Sequence, residues 1–166
     1  MAKNNFDRKV INDFGNEWES YDQSSVDSKE LKKQFSDYFK LFSWQEKITN
    51  GIGVDFGCGT GRWAKFVSEK VNFLICIDAS NKAVKVAKKN LRDKNNCHVI
   101  QGRIDTLPIL DNSLDFAYSL GVLHHLPNTE LALKKCINKL KPGAPFLLYL
   151  YYAFDNRPYW YLLIWK

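Results

Sequence analysis

The sequence predicts an α/β protein, a doubly wound and mostly parallel sheet with helices on both faces. Three observations predict it. From Ile52 onward, short apolar runs alternate with stretches of helical spacing. Each run is almost continuously hydrophobic, as strands covered on both faces are. A glycine-rich turn joins the first run to the stretch that follows it. In sheets of this kind, ligands bind outside the carboxyl ends of the strands.

Residues 1–50 read as a helical extension, and residues 51–166 as one core domain. Within the extension, Leu31, Phe35, Tyr38, Phe39 and Phe42 recur at spacings of three and four, as one buried helical face requires. GIGVDFG is the first strand, and a helix is expected from about Gly61 to Lys70. VNFLICID is the second strand, stopped by Asp78, with Ser80 placed to cap the basic helix beyond it. The third strand spans Cys97–Gln101. Asp111-Asn112-Ser113 turns the chain into a fourth at Leu114–Leu120. Thr129–Leu140 has helical spacing at Leu131, Leu133, Ile137 and Leu140, and Lys141-Pro142-Gly143 ends it. Pro145–Tyr152 is the fifth apolar run.

Composition narrows the function classes. The chain has 166 residues, 45% hydrophobic and 25% charged, which fits one ordinary globular domain. No apolar run reaches the length of a spanning helix. The polar start, MAKNNFDRKVINDFG, has no secretory core, so a cytoplasmic location is expected. Cys58, Cys76, Cys97 and Cys136 form no CxxC pair, so reduced structural thiols are expected, and no metal site. The net charge of +6 lies in residues 51–166, partly on Lys82, Lys85, Lys89 and Arg92. That stripe is either a patch for RNA or an anionic membrane, or the solvated face of a helix whose Val84, Ala87 and Leu91 pack inward. No aromatic residues interleave with the lysines, which favours the solvated face.

The sharpest local signal is Val54-Asp55-Phe56-Gly57-Cys58-Gly59-Thr60-Gly61-Arg62, between a strand and a helix. Its glycines permit positive φ and close approach of a ligand to the main chain. A dinucleotide fingerprint would read GxGxxG and face a pyrophosphate. Here the spacing is GxGxG, and Asp55 precedes it; a carboxylate there repels phosphate and suits a ligand with an ammonium or sulfonium group. S-adenosylmethionine is such a ligand, and the same features speak against a nicotinamide enzyme. Asp78 ends the second strand 17 residues beyond Gly61, where a carboxylate can accept both hydroxyls of a ribose. The plainer readings are that Asp78 caps the next helix and that Asp55 is structural.

VDFGCGTGR, the strand-end acid of CIDAS, GRIDTLPILDNSLDFAYSLGVLHHLPN and LKPGAPFLLYLYY follow one another over residues 51–152. In that order they resemble the motifs of class I S-adenosylmethionine-dependent methyltransferases of the small-molecule type. The resemblance implies a Rossmann-like methyltransferase fold and a glycine loop under the methionine part of the cofactor. It places Asp55 near the cofactor's amino group and Gly57, Cys58, Gly59 and Gly61 in the loop. Asp78 and Ala79 fall at the ribose, Ile104 and Asp105 at the adenine, and Ser119, Leu120 and Gly121 near the methionine moiety. Many relatives carry Asp directly after the glycine equivalent to Gly102. This chain has Arg103, which cannot accept a hydrogen bond, so the backbone at Ile104 or the Asp105 carboxylate is left to read adenine and Arg103 is not assigned to the cofactor.

His124 and His125 follow the fourth strand, where the methyl acceptor should approach. His125 is a candidate general base and His124 a candidate substrate contact; the alternative is a loop-packing pair. Trp18 and Tyr21, in the aromatic stretch from Phe14, are candidate substrate contacts of a lid, or simply packing residues. YWYLLIW near the end reads as a packing helix or acceptor-pocket lining, with a membrane-interface segment as the alternative. Relatives generally continue with two further strands after the fifth, so a C-terminally shortened domain is expected, with an uncovered sheet edge open to self-association. The expected function is methyl transfer from S-adenosylmethionine to an O, N or C atom of a small metabolite. The rivals are a non-catalytic cofactor-binding module and an RNA methyltransferase that uses the basic helix 82–94.

Overall fold

The computed structural model describes residues 5–21 and 26–151. Among them, β1 (Ile52–Phe56), β2 (Phe73–Asp78), β3 (Cys97–Gln101), β4 (Phe116–Leu120) and β5 (Phe146–Tyr149) form one sheet ordered β3-β2-β1-β4-β5. Every pairing is parallel, with Asp55 opposite Cys76 on one side and Tyr118 on the other. The chain builds outward from β1 to β3, then crosses back to lay β4 on the other side of β1. That reversal makes a topological switch point between β1 and β4, where the carboxyl ends diverge.

Both faces of the sheet are covered, which is why its strands are apolar along their length. One layer is formed by Phe35, Phe39, Ala64, Val84, Ala87 and Leu91 against Leu74, Cys76 and Tyr118. The other sets Ala132, Cys136 and Leu140 against Val54, Phe56, Ile77 and Ala117. Complete burial of a side chain such as Leu74 or Ile77 contributes about 1.5–3 kcal/mol.

The helices start where short polar side chains can satisfy free N–H groups. Asp7 caps α1 (Arg8–Ser20), Asp27 caps α2 (Ser28–Tyr38), Ser80 caps α5 (Asn81–Asn90) and Asn128 caps α6 (Thr129–Lys139). Two shorter helices, α3 (Glu46–Thr49) and α4 (Ala64–Val67), frame β1. As expected, α5 buries Val84 and Ala87, and its C-terminal cap Leu91 is buried with them. Its Lys82 pairs with Glu19 of α1.

Three local expectations are corrected. The helix expected over 61–70 shrinks to α4, because Gly59 and Gly61 hold positive φ before it and the Ser68 hydroxyl donates to the Lys65 carbonyl at its end. The aromatic face at residues 31–42 is not one helix: α2 ends at Tyr38, which is partly exposed, while Phe39 and Phe42 are buried beyond it. On α6, Leu131 and Ile137 are exposed and the small residues Ala132 and Cys136 face the sheet, so the helix seats close to the strands.

No helix among the described residues is long and apolar enough to cross a membrane. All four cysteines are free, and no cluster of metal-ligating side chains occurs among these residues. The YWYLLIW segment lies outside them.

Candidate functional site

A cavity of about 1000 Å3, part of it open to solvent, lies over the carboxyl ends of β1, β2 and β4. Its floor is the glycine turn. The N–H groups of Gly57 and Cys58 both donate to the Ile77 carbonyl, at 2.8 and 2.9 Å, and fold the loop back against β2. Gly57 (φ 84°) and Gly59 (φ 53°) expose bare main chain to the cavity. A Cβ on Gly57 would come within 2.5 Å of Val122, and one on Gly59 within 3.3 Å of Trp18. Only glycine leaves this space free. Gly61 (φ 77°) packs instead under Leu91, where a Cβ would meet Cδ1 at 2.9 Å, and it does not line the cavity.

Asp78 stands at the cavity wall and ties the turn to α5. One carboxylate oxygen accepts from the Gly59 N–H at 2.9 Å and the other from the Ser80 N–H at 2.8 Å. Burial pushes this carboxyl above its ordinary value, while the N–H groups of Ser80, Gly59 and Ala79 oppose the shift. Each oxygen keeps a lone pair that a ligand hydroxyl can use. The cap of α5 is Ser80 rather than Asp78, whose carboxylate instead fixes the Ser80 N–H and the glycine turn.

Asp55 is placed differently from the expectation. It is 2% exposed, lies beneath the turn in the row between Cys76 and Tyr118, and does not line the cavity. Its Oδ2 and the Tyr118 hydroxyl are buried without hydrogen-bond partners. Burial raises its pKa to about 8, with Asp78 adding to the rise and Tyr118 opposing it. A shift in that direction favours the neutral acid, which attracts a cation less than an ordinary carboxylate does.

The segment after β3 carries a local ion pair. The Arg103 Nε–H donates to Asp105 at 3.0 Å and a second guanidinium N–H to the other carboxylate oxygen. Burial raises the Asp105 pKa, but Arg103 outweighs it and holds the carboxyl below its usual range. The guanidinium lies 3.8 Å over the Phe6 ring, and all three residues line the cavity beside Ile104. Arg103, left unassigned by sequence reasoning, thus belongs to the cavity wall.

The roof is α1. Phe14 and Trp18 line the cavity with Val10 and Ile11, while Tyr21 is 71% exposed and does not. The residue Gly15 lets α1 touch Ser80 at the start of α5, where a Cβ would collide with the hydroxyl. At its front, the Asn5 side chain donates to the Asn128 carbonyl at 2.9 Å and accepts from the Asn128 N–H at 2.7 Å. Ala79, Leu120 and His125 line the cavity, joined by Arg62, Trp63, Gly121 and Val122. Ser119 is fully buried, its hydroxyl donating to the Phe56 carbonyl at 2.8 Å, and His124 sits behind His125. Neither lines the cavity. His125 packs 4.6 Å from Phe14, and burial keeps its pKa below 6.5.

Residues 54–148 match a family model described as a methyltransferase domain. The demethylmenaquinone methyltransferase of Staphylococcus haemolyticus (strain JCSC1435) is 29% identical over 111 residues, covering 61% of this chain and 46% of that protein. The probable tRNA methyltransferase 9B of Mus musculus is 30% identical over 110 residues, covering 64% and 23%. The chain thus spans less than half the length of either relative. Among solved structures, a SAM dependent methyltransferase from Aquifex aeolicus superposes with a TM-score of 0.62 at 22% identity, over 75% of this chain and 68% of that one.

Proposed function

The chain belongs to the methyltransferase domain family, and on that premise we propose that its cavity holds S-adenosylmethionine and presents the methyl group to an O, N or C atom of a small acceptor. The observation that carries this reading is the cradle at the switch point. Two glycines open a space that any side chain would fill, and Asp78 is locked beside it by the Gly59 and Ser80 N–H groups. These residues suit a ribose with an adjoining amino-acid tail. A pyrophosphate would meet the Asp78 carboxylate at the turn, and the Gly59 N–H it would need is already donated to that acid. The Arg103–Asp105 pair and Ile104 would border the adenine, and Gly121 with Leu120 the methionine end.

When bound, the cofactor supplies a methyl carbon activated by a sulfonium. The chain's own residues then have three tasks. The α1 roof, through Phe14 and Trp18, excludes water from the reacting atoms. Placement of acceptor and methyl in line supplies much of the rate, since a positioned pair reacts as one molecule. His125, whose partial burial lowers its pKa and favours the neutral imidazole, would take a proton from a hydroxyl or amine acceptor.

Calorimetric titration with S-adenosylmethionine and S-adenosylhomocysteine tests this, comparing wild type with Asp78→Asn and Asp78→Ala. Micromolar affinity that weakens at least tenfold in both variants is expected. No binding by the wild type would refute the reading, and binding unaffected by either variant would refute the role of Asp78. Binding without turnover of any acceptor would leave a cofactor-binding module.

A second reading, an RNA acceptor, draws on the name of the murine relative and on the basic face of α5. Lys82 is already engaged by Glu19, which removes one cation from that face. Charge reversal at Lys85 and Lys89 should abolish RNA retention if α5 binds RNA, and leave it unchanged if it does not.

A further inference from the structure

A chain of aromatic rings runs beside the cavity, and of its members only His125 and Trp63 line it. His125 lines the cavity, and its ring lies 4.0 Å from that of His124. His124 meets Tyr151 edge-on at 4.7 Å, and Tyr151 meets Tyr149 at 5.5 Å. Tyr149 then meets Tyr38 at 5.5 Å, and Tyr38 lies 5.0 Å from Trp63, which is again a cavity residue. The arc therefore leaves the cavity at one wall and returns to it at another. Its three tyrosines come from α2, from β5 and from just past β5, and all stay partly exposed.

Two polar features belong to the same arc. The Arg62 guanidinium lies 4.4 Å over the Trp63 ring and lines the cavity, and no carboxylate pairs with it among the described residues. Both ring nitrogens of His124 are buried there without a hydrogen-bond partner.

We propose that this arc is the acceptor subsite, and that it takes a planar aromatic acceptor bearing an ionisable hydroxyl. The proposal rests on the methyltransferase reading above and names the substrate class for it. A flat ring packs edge-to-face or offset against the tyrosines in the geometries these rings already use among themselves. An aliphatic acceptor would fill the same space without that complementarity. The unpaired guanidinium selects the charge: it favours a phenolate oxygen at the cavity mouth and repels an ammonium. The hydroxyl proton would pass to the His125 imidazole or to water; the phenolate oxygen would then bond the methyl carbon as its carbon–sulfur bond breaks, the electron pair staying on sulfur.

The test uses the chain saturated with S-adenosylhomocysteine, titrated by calorimetry with 2-naphthol, cyclohexanol and cyclohexylamine. Binding of 2-naphthol at least tenfold tighter than either comparator is expected. Tyr149→Leu and Tyr151→Leu should each weaken it at least fivefold while S-adenosylhomocysteine affinity stays within twofold. Raising the pH toward naphtholate should tighten binding to wild type and not to Arg62→Gln. Tyr151 is 60% exposed, so its substitution leaves the core intact and keeps the test valid if Tyr149→Leu fails to fold. Equal affinity for naphthol and cyclohexanol, preference for the amine, or indifference to both tyrosine variants would overturn the proposal alone. Failure to bind S-adenosylhomocysteine would overturn the methyltransferase reading and this subsite with it.

Discussion

Replacing Asp55 by Asn should change how stability depends on pH. The wild-type carboxyl is buried in an apolar row between Cys76 and Tyr118, with one oxygen unpartnered and its pKa raised from 3.8 to about 8. A raised folded-state value means that the folded chain holds a proton the unfolded chain releases. The associated stability is fully present below pH 3.8, falls as pH rises, and is gone above about 8. Between those limits the slope is about 1.4 kcal/mol per pH unit. Asn has the same shape and does not titrate, so every other group cancels in the difference between the two proteins. From pH 5 to pH 7, wild type should lose roughly 2–3 kcal/mol relative to Asp55→Asn. Urea unfolding of both proteins at pH 5, 6 and 7 measures this directly. Two parallel stability curves would refute the reasoning and mean that Asp55 is ionised in the fold, with water or a cation reaching it.

Three further outcomes follow from the cavity wall. Gly57→Ala should destabilise the fold by about 2–4 kcal/mol, combining a left-handed backbone cost with overpacking against Val122, and thermal melts will read it. Asn5→Ala removes both hydrogen bonds to Asn128 and should loosen the α1 roof by roughly 1–2 kcal/mol; faster hydrogen exchange confined to α1 is the expected signature, and unchanged exchange would count against the staple. Arg103→Ala should free Asp105 and uncover Phe6, weakening S-adenosylhomocysteine several-fold, with a global stability change under about 1 kcal/mol because the pair is partly exposed.

Much of the site was legible in the sequence because its signals are local. The glycine turn, the acid at the end of β2 and the Ser80 cap lie within a few residues of the elements they terminate. Asp78 was readable for that reason, and it now joins Gly59 to Ser80. Arg103 and Asp105 were visible as a departure from a pattern, but their ion pair was not, since it depends on how the segment after β3 turns. Arg62 and Trp63 gave a weaker signal, one cation beside one aromatic residue, and were missed as cavity lining. The exposed Leu131 and Ile137 show how a hydrophobic spacing can be true of a helix and still misname its buried face. Backbone proximity favoured Ala132 and Cys136, whose small side chains let α6 approach the sheet.

By itself the sequence determined the alternation of strands and helices, the parallel sheet and the glycine cradle, because each follows from periodicity or from backbone freedom over a few residues. Tertiary structure decided what those parts face. The residue Asn5 reaches Asn128 across 123 positions, and α1 becomes a roof only when Gly15 meets Ser80. Asp55 stands one position from Phe56, yet strand register turns its carboxyl into the buried layer with Cys76 and Tyr118. A period of two offers each strand residue only two faces, and which one meets the ligand is set by the neighbouring strands rather than by the residue itself.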